Sequence, residues 1–553
     1  MMRQIACLLF AFVIMSDVTL VAMPQPPDLI ITNGHVFGAE SSTATALAVT
    51  GERISAVGDD AQIIKLAGPT TQRIDAAGGT VMPGLHDAHV HFLSGSLSLS
   101  QIDLAGAETL AEIEAAIQSF ATQHPAKPVI VGRGWLYGSF PGGLPNKRIL
   151  DRLVPDRPAI MRCYDGHTVW CNSRALAAAG ITRDTPDPAG GEIVRDAQTR
   201  EPSGVLKEAA QDLIEKVIPE PTLDEKLSAL RQGIALAHQF GVTSVYEAGV
   251  GLAELDVLDK LRSQGELQLR FAIALGGKPN MREAEIEQLD HLKRRFPKLN
   301  ILGVKLYVDG VIESHTAAML TPYANRPTQG LPETTPEELN RVIESLDRRG
   351  WQIMVHAIGD AGIRMTLDAF ERAAKINPAP PRGRRHRLEH IESISQADID
   401  RFGKLGIIAS MQPYHANPNS NIFNVWAANL GPDRASRAWV WKSIQQAGGR
   451  LAFGSDWPVV SLDPRLGMHT ALTRQTLDGQ PPNGFLPAQR LPITDVLAAY
   501  TAEAAQAQFA EHEQGQLRVG QLADIIIWNK NLFSLQVSEV HQAQIVKTIF
   551  NGQ

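Results

Sequence analysis

The sequence predicts an α/β protein. Its frame is a (β/α)8 TIM barrel, with a composite β-sandwich built from both chain ends and a large insertion after the first barrel strand. Three observations predict this. Helix-start signals recur along the chain, each leading to a helical stretch and then a short, continuous apolar run of the kind that suits parallel strands covered on both faces. Glycine-punctuated strand-like runs stand near both ends. Histidine, lysine and aspartate side chains fall at the ends of several apolar runs, where barrel enzymes carry their chemistry.

Residues 5–15 form an unbroken apolar run of eleven behind Arg3, short of the ~20 that span a bilayer. They read as an export signal over 1–22, with cleavage after Ala22 and a periplasmic or extracellular destination. Strand-like runs at 29–32, 46–50, 53–57 and 73–75 make 27–82 the first part of the sandwich, and runs at 523–528 and 545–550 make 511–553 the second. The chain stops at Gln553, just after Asn551 and Gly552, and the sandwich is read there as truncated or slightly frayed.

The barrel is assigned to 83–510. Thr222 and Glu225 form a capping box before a helix that ends at Gly241, and a strand follows at 242–246. Thr335, Pro336 and Glu338 open a second helix, stopped by Gly350 before a strand at 352–356. Ser395 and Asp398 open a third, before a strand at 407–411, and Gly448 and Gly449 close a fourth before 451–454. Eight candidate strands then end near His91, Glu247, Leu275, Lys305, His356, His390, Gln412 and Ser455. The span of about 105–221 is too long for a loop and must be structured. It has a capping box, Thr109 with Glu112, and strand-like runs at 129–131 and 159–162.

Composition narrows the function. The 553 residues carry 52 − 59 = −7 formal charge, which disfavours nucleic-acid partners. Arg382, Arg384, Arg385 and Arg387, behind a proline-rich stretch, read as a solvated loop. Three cysteines build no disulfide framework; Cys7 lies in the leader, and Cys163 and Cys171 are close enough in sequence either to pair or to stay free. No later segment reaches membrane-spanning length, so no membrane partner is expected after signal cleavage.

The chemistry sits at strand ends. Residues i and i+2 of a strand point the same way, so His89 and His91 can grip one ion. The His-x-His pair is weak evidence alone. With His356, His390, Lys305 and Asp456 at other strand ends it becomes a metal site. A lysine among metal ligands is expected to lose its proton and take up CO2, giving a carbamate able to bridge two ions; the competing reading pairs Lys305 with Asp309 or another carboxylate. Asp456 suits proton transfer between an activated water and a leaving amine.

VMPGLHDAHVHF (81–92), GVKLYVDG (303–310), VHAIGD (355–360), LEHIE (388–392) and FGSDWPV (453–459) resemble the amidohydrolase superfamily. GRGW (132–135), DGHTVWCNSRAL (165–176), TPDPAGGEI (185–193), SGVLKEAA (203–210) and LRVGQLADIIIW (517–528) resemble its YtcJ-like branch, the amidohydrolase family 3 group that includes N-substituted formamide deformylase. The resemblance implies two divalent ions, zinc by expectation. His89, His91 and Asp456 would hold one, His356 and His390 the other, with carboxylated Lys305 as the bridge. It implies substrate contacts at Trp135, His167 and Asp309, each with a packing or structural alternative. His315, where many relatives carry arginine, and Cys171, where an aliphatic residue is expected, are departures that bear on specificity.

The expected activity is hydrolysis of a C–N amide bond of the N-formyl or N-acyl amine type, by metal-activated hydroxide attack. The alternatives are carbamate or ester hydrolysis on the same site, or a non-catalytic metal-binding barrel. Deamination of a heterocycle is disfavoured by Lys305. The expected partners are a small-molecule substrate and, in a homo-oligomer, further copies of the chain.

Overall fold

The computed structural model describes residues 25–553, so the leader over 1–22 and Cys7 lie outside the described residues. Eight parallel strands follow one another around a single sheet: Leu85–Val90, Val242–Val250, Arg270–Gly276, Ile301–Tyr307, Gln352–Ala357, Arg387–His390, Ile408–Met411 and Arg450–Phe453. They are numbered here first to eighth. The first, fifth, sixth and seventh are buried along their whole length, as strands with helices outside and side chains inside must be. The ring is closed just past the eighth strand. Asp456 N–H donates to the His89 carbonyl and His91 N–H to the Trp457 carbonyl, both at 2.7 Å. Gly454 permits this approach, because a Cβ there would lie 2.5 Å from the His89 nitrogen.

Local signals account for most boundaries. Thr222 caps the helix Leu223–Gln239 and Thr335 caps Pro336–Arg348, each through a full capping box worth about 1 kcal/mol. Ser395 precedes Gln396–Leu405 without a side-chain cap. Its hydroxyl accepts from Arg364 at 3.1 Å, and Asp398 bonds to Arg364 and Arg401 instead of reaching back. The second strand runs on to Val250 because a bulge at Gly249 (φ +91°) lets pairing continue to Leu275.

Both chain ends build the sandwich. One sheet runs Arg53–Gly58, Ala46–Thr50, Leu29–Thr32, Gln72–Asp75; the other runs His35–Val36, Thr80–Pro83, Ile525–Trp528, Ile545–Ile549. Ile31, Leu47 and Val49 of the first pack with Val81, Ile525 and Ile527 of the second. Thr80–Pro83 is a strand the sequence reading lacks; it pairs with Ile525–Trp528 and leads into the first barrel strand. The expected fraying does not occur. Gly552 N–H bonds the Ala523 carbonyl at 3.0 Å, and Asn551 N–H bonds Asp524 at 3.0 Å.

The insertion folds as a six-stranded sheet in the order Gly191–Arg195, Pro202–Glu208, Thr168–Cys171, Ala159–Cys163, Ile130–Trp135, Ile102–Asp103. Leu110–Gln123 packs on it behind the Thr109–Glu112 capping box. Cys163 and Cys171 are free and face different clusters; their thiols bond the Trp135 and Gly204 carbonyls. The arginine cluster is not a solvated loop. Arg387 is fully buried, Arg384 pairs with Asp347, Arg385 pairs with Glu511, and Arg382 lies over Phe509. A proline-rich lead-in is a poor guide to exposure when each guanidinium has a carboxylate or ring waiting in the fold. Among the described residues, no helix is long and apolar enough to cross a membrane.

Candidate metal centre

The six residues singled out in the sequence converge at the C-terminal end of the barrel, on the wall of one cavity of about 740 Å³, apart from His89, which lies fully buried beneath it. Asp456 stands at the centre. Its Oδ1 is 3.3 Å from His91 Nε2 and 3.5 Å from His89 Nε2, and its Oδ2 is 3.8 Å from His390 Nδ1. Oδ1 is buried with no hydrogen-bond partner. Burial alone would raise this carboxyl, but His89, His91 and His390 hold it well below the usual carboxylate range. Asp456 and His390 both take positive φ, 62° and 74°, a conformation uncommon outside glycine that aims both side chains at the cluster.

The histidines are held from behind. His89 Nδ1 bonds Glu389 Oε2 at 2.5 Å, leaving Nε2 toward Asp456. Glu389 is buried, a state that raises a carboxyl, yet Arg387 and His89 beside it bring it down to about 2. Arg387 spans that carboxylate and also bonds Ser410 and the Ala88 carbonyl, each at 2.6 Å. His390 Nδ1 meets Gln412 Oε1 at 2.8 Å, and His356 Nε2 meets the Gly310 carbonyl at 3.2 Å. Such bonds fix one ring nitrogen and free the other for a ligand. Burial also lowers His356 and His390 well below the ordinary imidazole value, so both are neutral ligands-in-waiting.

Lys305 is fully buried, 3.2 Å from His89 Nε2 and 4.6 Å from the Tyr307 ring centre. No carboxylate lies within ion-pairing distance of it among the described residues. The competing pairing with Asp309 therefore does not form. Burial pulls its ammonium down to about 8. Asp309 spends its carboxylate on the backbone N–H groups of Ala318, Ile358 and Gly359. It braces the loops around His356, and burial raises it to about 7.

Two sets of ligand atoms lie close enough to share an ion: His89, His91 and Asp456, and His390, His415 and Asp456. His415 is the residue that sequence reading missed. It lies in the short turn Pro413–Ala416 after the seventh strand, its ring parallel to that of His390 at 5.9 Å, its Nε2 buried and unpartnered. No periodicity marks such a turn. Glu389 was findable, since an acid two residues from an arginine inside an apolar strand must be paired or costly. Buried donor atoms with no protein partner, set among neutral imidazoles and a charged carboxylate, fit a divalent cation.

Of the expected substrate contacts, Trp135 is a correction. It is fully buried inside the insertion, bonds the Met161 carbonyl at 2.9 Å and packs on Tyr137 and Phe140. An indole that finds both apolar neighbours and an acceptor in its own domain has no reason to turn outward. His167 does line the cavity, 5.4 Å from the His356 ring. Burial would lower it, but Glu208, whose Oε2 is 2.7 Å from Nδ1, raises it to about 9. Cys171 lies in the insertion core, and His315 bonds Asn325 at 2.9 Å.

A parallel barrel with clustered histidines and an aspartate at the C-terminal strand ends defines a metal-dependent hydrolase. The amidohydrolase family profile matches residues 72–553, and the chain belongs to that family of hydrolases acting on carbon–nitrogen bonds. It is 32% identical over 542 residues to protein LONG AFTER FAR-RED 3 of Arabidopsis thaliana, covering 95% of this chain and 91% of that one. It is 30% identical to putative amidohydrolase YtcJ of Bacillus subtilis, covering 88% and 91%, and 25% identical to N-substituted formamide deformylase of Arthrobacter pascens, covering 96% and 98%. Among solved structures, an uncharacterized metal-dependent hydrolase from Pyrococcus furiosus aligns with TM-score 0.67 at 26% identity, covering 90% and 98%.

Proposed function

We propose that the protein hydrolyses a linear amide of the N-formyl or N-acyl amine type, using two divalent ions, zinc by preference. His89, His91 and Asp456 would hold one ion; His356 and His390 would hold the other, with Lys305 as a carboxylated bridge. Bound there, the ions would activate a water molecule and polarise the substrate carbonyl. Asp456 takes the proton released by that water on its carboxylate and returns it to the leaving nitrogen. Glu389 and Gln412 keep His89 and His390 in the tautomers this needs. The observation that carries the reading is the buried, unpartnered Asp456 Oδ1 ringed by histidines.

The absence of a carboxylate partner on Lys305 supports the bridging role. Likeness to N-substituted formamide deformylase supports the bond type. Carbamates and esters present the same polarisable carbonyl and remain the second reading. Export, read from the leader alone, would place the activity outside the cytoplasm. The test is a panel of N-formyl amines, N-acyl amino acids, aryl amides, carbamates and esters, run with zinc-loaded protein and with Asp456→Asn. Amide turnover lost by about 10²–10⁴-fold in the variant is expected. Turnover of esters alone, or full activity in the variant, overturns the reading.

A further inference from the structure

The insertion does more than cover the barrel mouth. His167 and Glu208 stand opposite each other at the ends of two antiparallel strands of its sheet, in register with the pair Thr168 and Lys207. Glu208 N–H donates to the His167 carbonyl at 3.0 Å, and His167 Nδ1 donates to Glu208 Oε2 at 2.7 Å. The backbone N–H of His167 also bonds Asp165 Oδ1 at 2.9 Å, which holds the main chain beneath the ring. The Glu208 side chain is 8% exposed, and its Oε1 is buried with no partner. The residue takes φ +48°, ψ −131°, a strained conformation for a side chain other than glycine. It presses on the loop after the fourth barrel strand, where a Cβ on Gly310 would lie 2.7 Å from Oε1. His167 Nε2 has no protein partner among the described residues, and the ring lines the cavity beside His356.

A buried carboxylate needs a counter-charge, and among the described residues the only basic group bonded to Glu208 is His167. Neither His167 nor Glu208 belongs to the insertion's two apolar clusters, one around Trp135 and Trp170 and the other around Val169, Cys171 and Leu206, so strain and an oriented imidazole at the cavity wall have no evident use in holding them. We propose that His167, charged and oriented by Glu208, is a hydrogen-bond donor from the insertion to the oxygen of the scissile carbonyl as it gains negative charge. His167 would be a catalytic residue and Glu208 a positioning residue. The proposal rests on the amide-hydrolase reading for its substrate but not for its binding test.

The experiment uses zinc-loaded full-length protein, with His167→Gln and Glu208→Gln, and two probes. One is turnover of N-benzylformamide; the other is the affinity for methylphosphonate, a tetrahedral oxyanion, by calorimetry. Zinc content and thermal midpoint are recorded for each variant. His167→Gln should lose about 10²-fold in kcat with KM within a few-fold of wild type, as removal of one oxyanion donor does, and should bind methylphosphonate about 10-fold more weakly. Glu208→Gln, which keeps a hydrogen bond to the ring but not the charge, should fall between the two. Unchanged methylphosphonate affinity in His167→Gln with normal zinc content overturns the proposal. If wild type does not hydrolyse the formamide, the amide reading fails, and the phosphonate affinities still decide the role of His167.

Discussion

The sixth barrel strand carries a histidine at each end, and the two live differently. His386, just before the strand, uses both ring nitrogens: Nδ1 accepts from Ile353 N–H at 3.2 Å and Nε2 meets Asp347 Oδ1 at 3.0 Å. His390, at the other end, uses Nδ1 on Gln412, with Asp456 Oδ2 3.8 Å from the same atom, and its Nε2 has no hydrogen-bond partner among the described residues. Two aspartates near the barrel seam repeat the contrast. Asp87 is saturated by Ser455 and the His89 N–H, and burial raises it to about 7, toward neutrality. Asp456 keeps an unpartnered oxygen and stays charged. His386 and Asp87 find their partners within the protein; His390 and Asp456 keep atoms waiting for something else. Stability belongs to the first and chemistry to the second.

The contrast breaks most sharply under substitution. His390→Ala should abolish turnover, by about 10²-fold or more, with an unfolding midpoint close to wild type. His386→Ala should do the reverse, costing about 2–4 kcal/mol in denaturant unfolding with kcat nearly unchanged, because it leaves a void and a half-stripped Asp347. Equal activity losses in the two would erase the distinction. Arg387→Met tests the strand between them. It strands Glu389 without its guanidinium, and a loss of about 3–5 kcal/mol is expected in chemical denaturation. A neutral result would mean that His89 alone satisfies that carboxylate.

The pH limb belongs to the saturated end. Burial would raise Asp347, but bonds from His386, Arg384 and Asn377 hold it at about 2. Its folded value lies below the ordinary ~3.9. Its contribution is therefore complete above that value and disappears as pH falls toward 2. Asp347→Asn should flatten the acid limb of stability between about pH 4 and 2, read by thermal unfolding across that range; an unaltered slope would remove Asp347 from the account. The smallest effect is Thr335→Ala. It removes a helix cap and should cost about 1 kcal/mol without touching turnover.

Much of this was legible in the sequence. Capping boxes at Thr109, Thr222 and Thr335 and the apolar runs after the helices mark the barrel, because those signals act within a few residues. Strand-end polar residues mark the centre for the same reason. His415 and Glu208 were not legible. One sits in a turn without periodicity, and the other reaches His167 only through pairing of strands distant in sequence. Trp135 was misread because motif likeness says nothing of which way an indole faces. The arginine cluster was misread because three of its partners, Asp347, Phe509 and Glu511, lie on other elements.

The central claim is that the unsatisfied end of the barrel is built around metal. Zinc-loaded, desalted wild-type protein and His390→Ala should be compared by inductively coupled plasma mass spectrometry. About two zinc ions per chain in wild type, with a clear loss in the variant, is the predicted result. Wild-type protein that retains no zinc, or a variant that retains all of it, would contradict the account.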